Sequence, residues 1–293
     1  GFTAPLTRVL GPVSEQATSP SQTTVGILNA DGGTASGAIL ALNGTGLLES
    51  ANISVINESG STPTLQELLE FDVVIIWTNS SFSDPSGTGD VLADYVDGGG
   101  SVVIATYALT ISSSQSSSSW WIGGRFEDPG YMPLLPSTNK LNHSYVMDMS
   151  SVPPGHPIFD GITNLTYSGN SNYSNSPLNT DAILLATDTN GNNLVAVNPL
   201  GTVAAISIWP GENLQDNNDP VSRLFANALI FVANGGFGIT TPRFVNENPI
   251  DIEGVAGDSL ITSVEVSVNH GPFQSVAIDS VRKFLLANTS LVP

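Results

Sequence analysis

Val73-Val74-Ile75-Ile76-Trp77 is an unbroken apolar run in which four of five residues are β-branched, led in by Phe71-Asp72. A strand with one wet face alternates apolar and polar residues. A run apolar at every position is expected of a strand covered on both faces, as in the middle of a parallel sheet. The neighbouring segments fit that reading. On the C-terminal side, a helix is expected over 90–96, closed by Gly98-Gly99-Gly100, with Val102-Val103-Ile104-Ala105 as the next strand. On the N-terminal side, Val25-Gly26-Ile27-Leu28 reads as a short buried strand, followed by a turn at Asp31-Gly32-Gly33. A helix over 36–48 follows, with Ile39, Leu40 and Leu42 in its apolar set and Gly44 as its weak point. Ile53-Ser54-Val55-Ile56 then forms a strand, and Thr64 with Glu67 forms a capping box opening a helix over 65–70. Strand and helix in alternation predict an α/β fold: a doubly wound, mostly parallel, flavodoxin-like sheet.

Further along, strands are expected over 182–186, 194–197 and 203–208, with Asn190-Gly191 as a hairpin turn. An amphipathic helix over 222–233 places Leu224, Leu229 and Phe231 in the core and stops at Asn234-Gly235-Gly236. Three regions follow: an extended N-terminal segment over 1–22, an α/β domain over 23–238 and a small β-rich region over 239–293. In the last, Ser263-Val264-Glu265-Val266-Ser267-Val268 alternates strictly, and a second strand is expected over 275–278. Two or three strands leave an open edge that needs a partner. The chain's own N-terminus, the α/β domain or another copy could supply it, and the N-terminal segment offers Leu6, Val9, Leu10 and Val13. Pairing it with Val264, Val266 and Val268, within or between chains, makes self-association into an oligomer or fibre the expected partnership.

The 293 residues include 26 acidic and 7 basic side chains, a formal net charge of −19. That charge disfavours phosphate backbones and anionic lipid, so no nucleic-acid partner is expected. No apolar run approaches the roughly 18 residues of a membrane span. Cysteine is absent, which excludes disulfides, thiolate metal sites and cysteine nucleophiles. Asn-x-Ser/Thr sequons begin at Asn43, Asn52, Asn57, Asn79, Asn142, Asn164, Asn172 and Asn288. That is about twice the chance number for such a composition. Together with a chain that starts at Gly1 and not Met, they lead to an extracellular or cell-surface glycoprotein as the expectation. Asn142, Asn164 and Asn172, in the irregular middle, are the first expected glycan carriers.

Residues 24–236 resemble the class I glutamine amidotransferase-like fold, in its trehalose-utilisation-type and beta-galactosidase-middle-domain branches. The resemblance is carried by Val25–Leu28, by Phe71-Asp72-Val73-Val74-Ile75-Ile76 and by Leu92-Ala93-Asp94-Tyr95-Val96-Asp97-Gly98-Gly99-Gly100-Ser101-Val102-Val103-Ile104. His156-Pro157-Ile158-Phe159-Asp160-Gly161-Ile162 and Arg223-Leu224-Phe225-Ala226-Asn227-Ala228-Leu229 complete it. The family's chemistry needs a cysteine on a strand-to-helix elbow, activated by histidine. This chain offers Thr106-Tyr107-Ala108 at that place, so the resemblance implies the fold without the nucleophile.

Other constellations are weak. A Thr106/His156 pair could serve a hydrolase. Asp188, Asn190 and Asn192 have the spacing that opens a calcium loop, but Asn193 and Pro199 replace its glycine and glutamate. Glu212, Asp216 and Asp219 suit helix capping better than a cation. His143, His156 and His270 lack zinc spacing. Trp120, Trp121, Arg125 and Tyr131 could stack on a sugar or cover a sheet edge. No metal, cofactor or catalytic residue is expected. The sequence points to a non-catalytic, self-assembling structural subunit, with a filament by strand exchange as one form. An extracellular carbohydrate-binding or carbohydrate-active module is the alternative.

Overall fold

The computed structural model describes residues 22–111, 120–138, 145–167, 175–210, 214 and 220–236. It also describes the backbone of strands at 6–8, 140–142, 172–174, 250–255, 263–267, 274–277 and 283–289. In chain order the elements begin with β1 (Leu6–Arg8), β2 (Val25–Ala30), α1 (Ala35–Gly44), β3 (Ile53–Asn57), α2 (Leu65–Leu68) and β4 (Val73–Thr78). Next come α3 (Pro85–Asp97), β5 (Ser101–Ala105), β6 (Lys140–Asn142), β7 (Tyr145–Val146), β8 (Thr166–Tyr167) and β9 (Asn172–Ser174). The series closes with β10 (Ile183–Thr187), β11 (Asn193–Val197), β12 (Val203–Ile206), α4 (Pro220–Ala233), β13 (Ile250–Val255), β14 (Ser263–Ser267), β15 (Gln274–Ala277) and β16 (Lys283–Thr289).

Seven strands form one sheet in the order β10-β11-β12-β5-β4-β2-β3. The five from β12 to β3 run parallel, and β11 and β10 are antiparallel additions. This is the doubly wound, mostly parallel α/β architecture expected from the sequence. Every residue of β4 is buried, as the apolar run required. Its odd residues Val73, Ile75 and Trp77 enter the core under α1 and α4, and Val74 and Ile76 enter the core under α2 and α3. Each fully buried aliphatic side chain there contributes about 1.5–3 kcal/mol of transfer free energy.

The helices differ from expectation in instructive ways. α1 ends at Gly44, not at residue 48, and Leu40 is 66% exposed; Ala35, Ala38, Ala41 and Leu42 are the buried set. The inward face of α1 is therefore mostly alanine, which lets the helix approach the sheet closely. α2 keeps the Thr64–Glu67 capping box but ends at Leu68. α3 starts five residues earlier than expected, with Asp84 as N-cap accepting from the Gly87 N–H and Pro85 in the first turn. α4 buries Leu224, Leu229 and Phe231 as expected.

β1 pairs antiparallel with β14 in the register Leu6↔Ser267, Thr7↔Val266 and Arg8↔Glu265, and β14 pairs with β15. Of the seven positions expected to mediate assembly, Leu6, Val264 and Val266 lie in these strands, whereas Val9, Leu10, Val13 and Val268 lie outside the described residues.

Candidate functional site

Open α/β sheets bind ligands at the carboxyl ends of their strands. Here the ends of β2, β4, β5 and β12 converge on Asp31. The residue follows β2 directly and precedes Gly32 and Gly33, whose φ angles of +27° and +98° make the turn into α1. A Cβ on either glycine would meet only open space. The Asp31 Oδ2 accepts from the indole N–H of Trp77 at 3.2 Å, the indole N–H of Trp209 at 3.1 Å and the Thr34 hydroxyl at 3.1 Å. Burial pushes the Asp31 carboxyl above its ordinary range, against the opposing pull of these donors and of Asn79.

Aromatic rings extend the cluster. Tyr107 stands 5.1 Å from Trp120 and 5.9 Å from Trp209, centroid to centroid. Asn29, fully buried one row below, gives its amide to Thr34 at 3.4 Å, and its Oδ1 has no hydrogen-bond partner among the described residues. At the start of α1 the Ala35 N–H donates to Glu58 at 2.9 Å, so a carboxylate already occupies the end of the helix that would favour an anion. With Asp31 and Glu58 together, this end of the sheet suits neutral or cationic ligands and disfavours phosphate. Asp31 and Trp209 lie 178 residues apart, and their meeting has no motif in the linear sequence. The acidic residue between a buried strand and Gly-Gly is the available signal.

The elbow position carries no catalytic pair. Thr106 is fully buried, and its hydroxyl has no partner among the described residues. His156 is not its neighbour. The imidazole packs 4.9 Å from Phe231 on α4, and its Nδ1 accepts from the Ile158 N–H at 3.3 Å, capping the short turn Pro157–Phe159. The adjoining Val232 carbonyl accepts from the Ser101 hydroxyl, at the opposite end of β5 from Thr106. A Thr106/His156 hydrolase is therefore dropped.

The remaining sequence candidates resolve into structural roles. Arg125 bridges Asp94 and Asp97 on α3 and bonds the Tyr131 hydroxyl, while Trp120 joins the opposite core layer, so the four residues do not form one stacking surface. Asp188 is buried and accepts from the Asn190 and Asn192 N–H groups at 2.9 and 2.8 Å, which makes it the organiser of the hairpin turn. Among the described residues no group of three His, Cys, Asp or Glu could hold a metal. Glu212, Asp216, Asp219, His143 and His270 lie outside the described residues.

The sequons separate by exposure. Asn43, Asn79 and Asn164 are exposed. Asn52 keeps its amide nitrogen buried, and Asn57 donates its own to the Ser61 carbonyl at 3.2 Å. Asn142 and Asn172 lie not in loops but opposite each other in the β6–β9 ladder, and Asn288 lies in β16. A glycan is attached through that amide nitrogen. In glycopeptide mass spectra of protein from its native source, Asn43, Asn79 and Asn164 are expected to be occupied and Asn52 and Asn57 bare. Occupancy at Asn52 or Asn57 exceeding that at the exposed three would contradict this.

No protein-family profile matches the chain, and no curated protein matches it. Solved structures do. A ThuA-like protein from Bacteroides uniformis is similar over 76% of this chain and 95% of its own, at 15% identity and a TM-score of 0.49. A GMP synthase protein from Thermoplasma acidophilum is similar over 72% of this chain and 94% of its own, at 12% identity and a TM-score of 0.46. PurLQS from Thermotoga maritima is similar over 71% and 98%, at 10% identity and a TM-score of 0.43. The strand order given above is what places the chain among doubly wound α/β folds.

Proposed function

We propose that the chain is a non-catalytic extracellular or cell-surface protein that joins copies of itself through its terminal strands, in an amidotransferase-like fold that has lost its nucleophile. The observation behind this reading is the β1–β14 ladder, made here within one chain, which shows that the two terminal segments are complementary as strands. Residues 9–21, which connect β1 to the α/β unit, reach about 45 Å when extended. The same register can therefore be made with β14 of a neighbouring copy. Such a contact joins unlike surfaces and propagates as a fibre instead of closing as a dimer. Support for the non-catalytic part comes from the absence of cysteine and from the separation of Thr106 and His156.

Deleting residues 1–21 tests the reading. The shortened chain is expected to run as a single-chain species under conditions where the full chain forms higher assemblies, with its α/β unit still folded. Assembly that survives the deletion would overturn it.

A second reading, a carbohydrate-binding module, is favoured by Asp31, Asn29 and the aromatic rings at the carboxyl ends of the strands. Asp31→Asn separates the two, since saccharide binding would be lost while assembly stayed unchanged.

A further inference from the structure

The seven-stranded sheet has two edges, and they are treated differently. Beside β10, the Asp148 N–H donates to the Thr187 carbonyl at 2.9 Å and Met147 bridges to Asp188, so another part of the chain covers the end of that strand. On the outer side of β3 no strand is paired among the described residues. Natural edges are usually blunted by lysine, proline or inward charge. Ile53-Ser54-Val55-Ile56-Asn57 has none of these, and Val55 is 41% exposed.

A groove of about 370 Å³ runs along this edge, bounded by Asn52, Val55, Ile56, Glu67, Glu70 and Phe71. Ile56 and Phe71 form the apolar part of its floor and rest on the core beneath, beside Thr24 and Ser54. Both of its charged groups are carboxylates. The capping box fixes the Glu67 carboxylate at the start of α2, and Glu70 stands just beyond the end of that helix. The Asn52 amide nitrogen is buried beside the groove with no hydrogen-bond partner among the described residues. An open ladder, a partly apolar floor and an acidic rim meet in one place.

We propose that this groove receives an extended basic peptide segment, which adds to β3 as a further strand. The main-chain groups of β3 supply the ladder, Val55 meets an apolar side chain on the face it shares with Ile53, and on the opposite face, beside Ile56 and Phe71, Glu67 and Glu70 meet a lysine or arginine. The acidic rim selects against a second copy of this same edge, because a two-fold pairing of β3 with β3 would bring the carboxylates of both copies to one contact. This inference does not rest on the terminal-strand reading.

The test is fluorescence anisotropy on the full chain, with a labelled heptapeptide of alternating lysine and valine as the probe. Saturable binding is expected, weakened about tenfold or more by Val55→Lys and by Glu70→Lys. The same peptide N-methylated on alternate amides keeps its charge but loses the ladder, and its binding is expected to disappear. Thermal unfolding of both variants confirms that they fold, since neither site is buried in the core. Equal binding of the N-methylated peptide would reduce the contact to charge attraction and overturn the proposal. So would a failure to bind the parent peptide, or binding unaffected by Val55→Lys.

Discussion

Trp77→Ala is expected to lower stability by about 3–5 kcal/mol, enough to unfold a marginal α/β domain. Trp77 is fully buried at the end of a central strand, paired with Asn29 of β2, so truncation leaves a cavity beneath a strand held by β2 and β5 on its two sides. It also removes one of the three donors on Asp31 Oδ2, leaving that half-buried carboxylate less well satisfied. Trp77→Phe keeps most of the volume and loses only the N–H, and it is expected to cost about 1–2 kcal/mol. Urea unfolding with an unchanged denaturant slope measures both. A Trp77→Ala loss below about 1 kcal/mol would mean that the strand end is not packed as described.

Stability is also expected to fall by up to about 3 kcal/mol between pH 6.5 and 4 through His156 alone. Burial against Phe231 and Phe159 pushes its imidazole down to about 4. A depressed folded value means that the native state favours the neutral ring. The contribution is therefore complete above the unfolded value near 6.5 and is lost as the pH falls through the folded one. Asp31 acts in the opposite sense, because its raised carboxyl favours the native state at low pH and loses that advantage as the pH rises. His156→Asn keeps an acceptor for the Ile158 N–H while removing the titration, so its stability profile over this window should be flatter than that of the parent. Parallel profiles for the two proteins would contradict the burial of the imidazole.

The sheet is legible in the sequence because its central strands are apolar without interruption, and only burial on both faces explains such a run. The start of α3 is harder to read, although Asp84-Pro85 is a recognisable opening. Gly87 and Gly89 in the next turn weaken any helix judged on local propensity. Gly89 has a tertiary reason, since a Cβ there would come within 1.8 Å of the Gly123 carbonyl oxygen. That approach cannot be seen in a linear sequence. The same holds for Leu40, whose apolar character suggests core while the alanines beside it make the close contact. Asp31 reads as part of a turn and not as a centre, because Trp77 and Trp209 reach it only once four strand ends are assembled.

Multi-angle light scattering of the full-length chain over a concentration series bears most directly on the proposed role. Strand exchange through β1 and β14 predicts an open-ended rise in mass with concentration, in steps of one chain, with fibres at the upper limit. A single-chain mass at every concentration, with β1 protected from hydrogen exchange in that monomer, would show that the terminal strands close on their own chain and would contradict the account.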